Sequence, residues 1–179
     1  METIRIGVVG LCIRSRDRSV LMAKHRRTIN QASWGLPGGG VELGELPHDA
    51  MQREWHEELG VPLTSTDLIA ISHRADPNQT SILYVFQVAC DWRQMSIDGD
   101  EVLGYGWISP KRLRVLRGRQ QLISSRDAFL VDYILRGGPL SVIPATEYQA
   151  PGDIYRGLKR TAFYVGGYQD MSPKAPTSP

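Results

Sequence analysis

Apolar runs bounded by polar turns dominate the N-terminal part of the chain, a pattern typical of β-strands. The segment IRIGVVGLCI (4–13) is apolar and β-branched, RSRDRS is a polar turn, and VLMAKHRR follows, so residues 4–26 are predicted to form a hairpin. TSILYVFQVAC (80–90) is the most strand-like segment, and GYGWIS (104–109) predicts a further short strand.

Two stretches between these runs are predicted to be loops. The segment TINQASWGLPGGG (28–40) contains Pro37 and three consecutive glycines, which sustain neither a helix nor a regular strand. Residues 62–79 are interpreted as a short, direct connection between a helix and the next strand.

Helical periodicity begins at Pro47 and continues to Leu59. Proline suits the first position of a helix, and Gly60 suits the residue just past its end. Two more helices are predicted, one starting at Ser109-Pro110 and one over RDAFLVDYIL (126–135). Strands mixed with a few helices indicate an α/β or α+β domain. We expect this domain to span residues 1–137, followed by a partly packed extension (138–179) whose tail (170–179) is disordered.

Composition excludes several classes of protein. The 179 residues carry 21 Lys+Arg against 19 Asp+Glu, so the net charge of +2 is too balanced for an electrostatic binder of nucleic acid or membranes. We found no stretch long enough to cross a membrane. Cys12 and Cys90 form no CxxC pair, and we interpret them as two thiols in a reducing compartment. The sequence therefore predicts a cytoplasmic protein.

Three glutamates crowd one sector of the helix over residues 47–59. Glu54, Glu57 and Glu58 fall within roughly 100° of one another, next to an apolar stripe. Like charges at this spacing repel each other unless a cation approaches. Carboxylate oxygens suit hard cations such as Mg²⁺ or Mn²⁺, and Mg²⁺ is often shared with substrate phosphates. A solvated surface of the helix is the alternative that these residues alone leave open.

The spacing around this helix resembles a known family motif. Five residues lead from Gly39 to Glu45 and seven more lead to Arg53, which is followed by EWHEELGV (54–61). This resembles the Nudix box, Gly-x5-Glu-x7-Arg-Glu-apolar-x-Glu-Glu-x-Gly-apolar, and the preceding WGLPGG is similar to the family's lead-in. Trp55 stands where the family usually has an aliphatic residue, and Leu46 where many members have a capping hydroxyl.

The resemblance implies an α/β/α sandwich with a mixed sheet and a metal-dependent pyrophosphohydrolase. It implies that Mg²⁺ or Mn²⁺ is held by four groups: the carbonyl of Gly38 and the carboxylates of Glu54, Glu57 and Glu58. Arg53 and Glu45 would orient the site, and Glu57 or Glu54 would help to deprotonate the attacking water. Glu101 would act as a base or a further metal ligand, with Asp98 and Asp100 as competitors and a solvated loop as the alternative.

Substrate contacts are assigned to residues near the glycine loop. Arg26 or Arg27 is expected to contact a phosphate, because a planar guanidinium fits that geometry. Gly39 lets a polyphosphate approach the backbone closely, and Trp34 is a candidate for stacking on a base. For each arginine an ordinary surface position is the alternative. We interpret His25 and His56 as ordinary polar residues.

Several substrate classes of the family are candidates for this chain. The compact length and the short connection over residues 62–79 favour a nucleoside triphosphate, modified or deoxy, giving the monophosphate and pyrophosphate. ADP-ribose or a nucleotide sugar comes next, and Pro77 resembles a weak marker of the ADP-ribose group. An RNA 5′-end pyrophosphohydrolase and a non-catalytic ligand sensor are further alternatives. Nucleic acid and membranes are not expected as partners, and the aromatic residues beyond 138 suggest a packed surface or a homodimer contact.

Overall fold

The computed structural model describes residues 3–28, 31–76, 79–97, 99–123 and 161–164. Among these residues the structure has eight strands and two α-helices, in chain order β1 (Thr3–Leu11), β2 (Ile13–Arg14), β3 (Ser19–Thr28), β4 (Gln31–Gly35), α1 (Pro47–Leu59), β5 (Leu63–Asp76), β6 (Gln79–Cys90), β7 (Val102–Ile108), α2 (Pro110–Gly118) and β8 (Thr161–Tyr164). A short 3₁₀ turn, Trp92–Gln94, follows β6.

The strands form two sheets. In the first, the order is β1-β6-β5-β8, with β1 parallel to β6 and the other neighbours antiparallel. In the second, β3 pairs antiparallel with β2, β4 and β7. The strands are therefore both parallel and antiparallel, as the resemblance to the Nudix family implies.

The hairpin predicted over residues 4–26 is largely wrong. Only the short strand β2 pairs with the start of β3, whereas β1 joins β6 in the first sheet, with Thr3 opposite Gln79. Parallel strands need a long connection, so a partner this distant along the chain leaves no local signal in the sequence.

Both predicted loops contain strands. The stretch 28–40 includes β4, which pairs with β3, and the stretch 62–79 includes the 14-residue strand β5. Two register shifts interrupt the pairing of β5 with β6, between Leu63 and Ser65 and between Leu68 and Ala70. Bulges of this kind break the alternation of apolar and polar positions, which explains why β5 was missed. The predicted helix over 126–135, the tail 170–179 and Pro77 lie outside the described residues.

The helix α1 follows its predicted boundaries. Pro47 stands at its start, and Gly60 ends it in a left-handed conformation with φ of 69°. Leu46, the N-cap residue, makes no side-chain cap. The first hydrogen bond of the helix runs from Ala50 N–H to the carbonyl of Leu46. Proline at the start and glycine past the end are local signals, which is why the boundaries could be predicted.

Two apolar clusters cover the sheets on opposite sides. One packs α1 against the sheets and includes Ala50, Met51, Trp55 and Leu59 with Val8, Leu21, Phe86 and Val88. The other packs α2 and includes Leu113 and Leu116 with Val9, Leu11, Val20, Met22 and Val85. Helices on both sides of the strands confirm the predicted α/β/α arrangement. Within the described ranges, no helix is long and apolar enough to cross a membrane.

Gly10 accommodates the tryptophan in α1. Trp55 is fully buried, and a Cβ atom added at Gly10 would lie 2.7 Å from the indole ring. That is closer than side-chain contacts allow, so β1 can pack on this large ring only without a side chain at position 10. Cys12 and Cys90 are free thiols in the same region of the core.

Candidate active site

Arg53 lies at the centre of a cluster of acidic side chains on α1 and the loop before it. Its Nε and Nη2 donate to the two oxygens of Glu45 at 2.8 and 2.9 Å, and its Nη1 donates to Glu54 at 3.0 Å and to Glu57 at 2.9 Å. Nη2 also donates to the carbonyl of Gly40 at 2.9 Å. All five N–H donors of the guanidinium are therefore used. We call Glu45, Arg53, Glu54 and Glu57 the Arg53 cluster.

The glycine loop is fastened to β1 and lies against α1. The N–H groups of Val8 and Gly10 donate to the carbonyls of Gly39 and Pro37, at 2.9 and 2.8 Å. Gly38 has φ of 142°, and a Cβ there would overlap the carbonyl of Val8. Only glycine suits this position, because the backbone conformation and the close approach both exclude a side chain.

The same loop contacts two of the glutamates on α1. The N–H of Gly38 donates to Oε2 of Glu58 at 3.0 Å. A Cβ added at Gly39 would overlap the carboxylate of Glu54, so this carboxylate packs directly on the bare backbone. The motif spacing thus places a loop without side chains against the acidic edge of the helix.

The carboxyl groups differ in protonation because their surroundings differ. The bonds from Arg53 lower the pKa of Glu45 to about 2. Burial raises the pKa of Glu58 to about 8, opposed by the Gly38 N–H and reinforced by neighbouring carboxylates. Burial also raises the pKa of Glu54, with Arg53 opposing it. Without a cation, Glu58 therefore keeps its proton near neutral pH while Glu45 is ionised.

A histidine that the sequence analysis set aside lies beside Glu58. Nδ1 of His25, on β3, is 3.4 Å from Oε1 of Glu58. Each of His25, Glu58 and Glu101 offers one potential ligand atom, and these three atoms lie within 4.8 Å of one another. Burial lowers the pKa of His25, opposed by Glu101. Its Nε2 is buried and has no hydrogen-bond partner among the described residues. We call these three residues the His25 cluster.

Strand alternation is the signal that could have indicated His25. Leu21 lies in the core beneath α1, and Ala23 and His25 follow it at two-residue spacing on β3. Residues at this spacing share one face of a strand, so the histidine points towards the helix that carries the glutamates. The sequence alone does not show that this face meets α1.

Arg26 holds the segment that carries Glu101. Its Nε and Nη2 donate to the carbonyls of Asp100 and Gly99, at 3.0 and 3.1 Å, and its own N–H donates to the carbonyl of Glu101 at 2.8 Å. The guanidinium thus contacts protein carbonyls, and the contact of Arg26 or Arg27 with a substrate phosphate stays a prediction. Asp98 and the side chain of Arg27 lie outside the described residues.

Trp34 does not share a face with the glutamates. It pairs with Lys24 on β3, and a Cβ atom added at Gly106 would lie 3.6 Å from its ring. It packs against the cluster beneath α2, on the opposite side of the sheet from α1. His56 is exposed on α1 and belongs to neither polar cluster.

Comparison with known proteins identifies the family. A family model described as the NUDIX domain matches residues 3–128, which is more than half of the chain. The chain therefore belongs to the Nudix family, as the resemblance in its sequence predicts.

Two curated relatives differ in their printed activities. The RNA pyrophosphohydrolase of Aeromonas hydrophila is 44% identical over 64 residues, which are 36% of this chain and 35% of that protein. The nucleoside triphosphatase NudI of Salmonella paratyphi B is 36% identical over 98 residues, which are 49% of this chain and 69% of that protein. The chain thus spans about a third of the length of the first relative.

Solved structures agree on the fold. The MutT NUDIX hydrolase from Burkholderia pseudomallei has a TM-score of 0.50 at 27% identity, covering 59% of this chain and 83% of that one. A NUDIX hydrolase from Nitrosomonas europaea has a TM-score of 0.57 at 18% identity, covering 76% and 91%. At that identity the second likeness shows the fold alone.

Proposed function

We propose that the protein hydrolyses a pyrophosphate bond in a nucleoside triphosphate, modified or deoxy, and releases the monophosphate and pyrophosphate. The observation that carries this proposal is the Arg53 cluster, in which one guanidinium holds Glu54 and Glu57 side by side at the glycine loop. Such a surface gives a polyphosphate close access to the backbone and to several carboxylates at once.

The donors on this surface suit a hard divalent cation, Mg²⁺ or Mn²⁺. Glu54, Glu57 and Glu58 lie on one helix, and the Glu54 carboxylate lies against Gly39, where a side chain would fill the space. With the carbonyl of Gly38 and the carboxylate of Glu101 they would hold the cation. When bound, such an ion offsets the charge of the pyrophosphate and lowers the pKa of water.

Glu57 is the residue we assign to proton transfer, with Glu54 as the alternative. The side chain of Glu57 is 56% exposed and is held by Arg53 alone among the contacts described, so a water molecule can reach it. Glu58 is a poorer base, because burial leaves it protonated near neutral pH without a cation. A carboxylate that orients water and accepts its proton contributes typically about 10²–10⁴-fold to the rate.

The substrate assignment is supported by the relatives. The connection over residues 62–79 does not support it, because this stretch contains the strand β5 (Leu63–Asp76) and is not a short loop. NudI, of which the chain covers 69%, is named a nucleoside triphosphatase. The RNA pyrophosphohydrolase supports 5′-triphosphorylated RNA as a second candidate, although the net charge of +2 does not favour it. A non-catalytic sensor would not need all the box glutamates, and all of them are present here.

A substrate panel tests the proposal. Purified protein with Mg²⁺ or Mn²⁺ would be offered nucleoside triphosphates, ADP-ribose, nucleotide sugars and 5′-triphosphorylated RNA, with the products identified by mass spectrometry in ¹⁸O-labelled water. We expect monophosphate and pyrophosphate from a nucleoside triphosphate. Cleavage of RNA with free nucleotides untouched would select the second candidate, and inactivity on the whole panel would contradict the proposal.

The variant Glu57→Gln tests the assigned base in the same assay. We expect a loss of activity of about 10³-fold with the fold retained, because the amide cannot accept the proton. Glu42→Gln is the matched control, since it removes an exposed charge from the neighbouring loop and should leave the rate unchanged. Full activity of Glu57→Gln at saturating Mg²⁺ would show that another group is the base.

A further inference from the structure

The His25 cluster combines side chains from three structural elements, two of them buried. His25 comes from β3, Glu58 from α1, and Glu101 from the segment just before β7. His25 and Glu58 are each 8% exposed, so their polar atoms are removed from bulk water. Buried groups of this type normally find a partner, because leaving one unpaired costs free energy.

The hydrogen-bond partners of these buried groups are incomplete among the described residues. Oε2 of Glu58 accepts a hydrogen bond from Gly38, whereas Oε1 lies on the side of His25. Nε2 of His25 is buried without a hydrogen-bond partner in the part of the chain that the structure describes. The imidazole of His25 is buried beside two carboxylates, with Nδ1 3.4 Å from Oε1 of Glu58 and with no hydrogen-bond partner at Nε2 among the described residues. Such a group indicates a place for a ligand rather than a finished internal contact.

The spacing of the donors fits a metal ion. Their ligand atoms lie within 4.8 Å of one another. Ligands about 2.1 Å from a six-coordinate cation are separated by roughly 3 to 4 Å, so small side-chain movements would bring all three into contact with one ion. Arg26 fixes the backbone that carries Glu101 through three hydrogen bonds, which limits the movement needed from that loop.

We propose that His25, Glu58 and Glu101 form a cation site with one nitrogen and two oxygen ligands, which prefers a transition-metal dication such as Mn²⁺ to Mg²⁺. Imidazole is a softer ligand than carboxylate and is a poor partner for Mg²⁺, which prefers oxygen and dehydrates reluctantly. This inference shares Glu58 and Glu101 with the proposed function and deepens it by adding a ligand that distinguishes between metals.

Nitrogen coordination can be detected directly on Mn²⁺ without any substrate. The full chain, freed of metal and titrated with Mn²⁺ in the presence of excess Mg²⁺, would be examined by electron spin-echo spectroscopy for coupling to ¹⁴N. We expect a directly bound nitrogen in the wild type. His25→Gln should abolish that coupling and weaken Mn²⁺ binding by about tenfold or more, with Mg²⁺ binding changed less than twofold.

Two further variants keep the test decisive. His56→Gln makes the same change at an exposed position on α1 and should retain both the coupling and the affinity for Mn²⁺. Glu101→Gln removes an exposed ligand and should also weaken Mn²⁺ binding, which covers the case in which His25→Gln does not fold. Absence of ¹⁴N coupling in the wild type, its persistence in His25→Gln, or unchanged affinity in Glu101→Gln would each overturn the site.

Hydrolysis by the wild type with Mg²⁺ alone is scored separately from metal binding. Activity without nitrogen coordination would remove only the His25 site and leave the proposed function standing. Nitrogen-bound Mn²⁺ in a protein that cleaves none of the panel would instead contradict the proposed function and leave the metal site intact.

Discussion

The Arg53 cluster and the His25 cluster meet on helix α1, which supplies Arg53, Glu54 and Glu57 to the first and Glu58 to the second, and they hold their carboxylates in opposite ways. In the first, an arginine donates to Glu45, Glu54 and Glu57, and the side chain of Glu57 is exposed to water. In the second, Glu58 is buried next to a histidine whose pKa is lowered. The carboxylates of the Arg53 cluster are thus neutralised by an arginine of the protein itself. Glu58 in the His25 cluster has no comparable charge partner among the described residues.

Arg53→Lys should have the largest effect, because it removes the hydrogen bonds that distinguish the Arg53 cluster from the His25 cluster. Lysine keeps the positive charge but has three N–H donors in place of the five that Arg53 uses, and it lacks the planar fork. Glu54 and Glu57 would therefore lose their fixed positions. We expect kcat/KM to fall by about 10- to 100-fold, measured by nucleotide hydrolysis, while the melting temperature changes by a few degrees at most.

Arg14→Lys is the matched control for this substitution. Arg14 makes a comparable pair with Asp17, at 3.0 and 2.6 Å, in the turn between β2 and β3. This variant should leave hydrolysis unchanged. Equal losses in both variants would mean that the Arg53 cluster has no special place in the reaction.

The variant Gly39→Ala should have a smaller effect, because it moves the carboxylate of Glu54 without removing its charge. Gly39→Ala would push a methyl group into the carboxylate of Glu54, the flexible end of a side chain, so the fold should survive while the carboxylate moves. We expect activity to fall roughly tenfold, since small displacements in a site reduce rates strongly. Gly40→Ala is the matched control, because nothing lies within 4 Å of a Cβ at that position. Identical rates in the two variants would contradict the close packing of Glu54 on the loop.

The pH dependence of stability tests the protonation of the buried Glu58 in the His25 cluster. Glu58 has a folded pKa of about 8 against a usual value near 4.5, so between these values the folded state binds a proton that the unfolded state has lost. Stability therefore falls as pH rises through this window. Below pH 6.5 the lowered pKa of His25 acts in the opposite direction, which makes pH 6.5–8 the clearest interval.

Over that interval the metal-free protein should lose up to about 2 kcal/mol of its free energy of unfolding, measured by urea denaturation in a chelating buffer. Glu58→Gln should flatten this dependence, because the amide does not titrate. A wild-type protein whose stability is constant or rises from pH 6.5 to 8 would show that Glu58 is ionised in the fold without a cation.

The sequence predicted those parts of the site whose signals are local. The boundaries of α1 follow from Pro47 and Gly60, and the contact between Glu45 and Arg53 joins residues eight positions apart. The parallel pairing of β1 with β6 and the contact of His25 with Glu58 join distant parts of the chain. Such contacts depend on which faces of the elements meet, which periodicity alone does not determine.

The hydrogen bonds of Arg53 limit its ability to bind a negatively charged molecule. A guanidinium has five N–H groups, and here every one is directed to an oxygen of the protein itself. An arriving phosphate would have to displace a carboxylate to gain a bond from this arginine. The most basic side chain at the glycine loop is therefore part of the framework, and the counter-charge for an anionic guest has to be supplied by something other than Arg53.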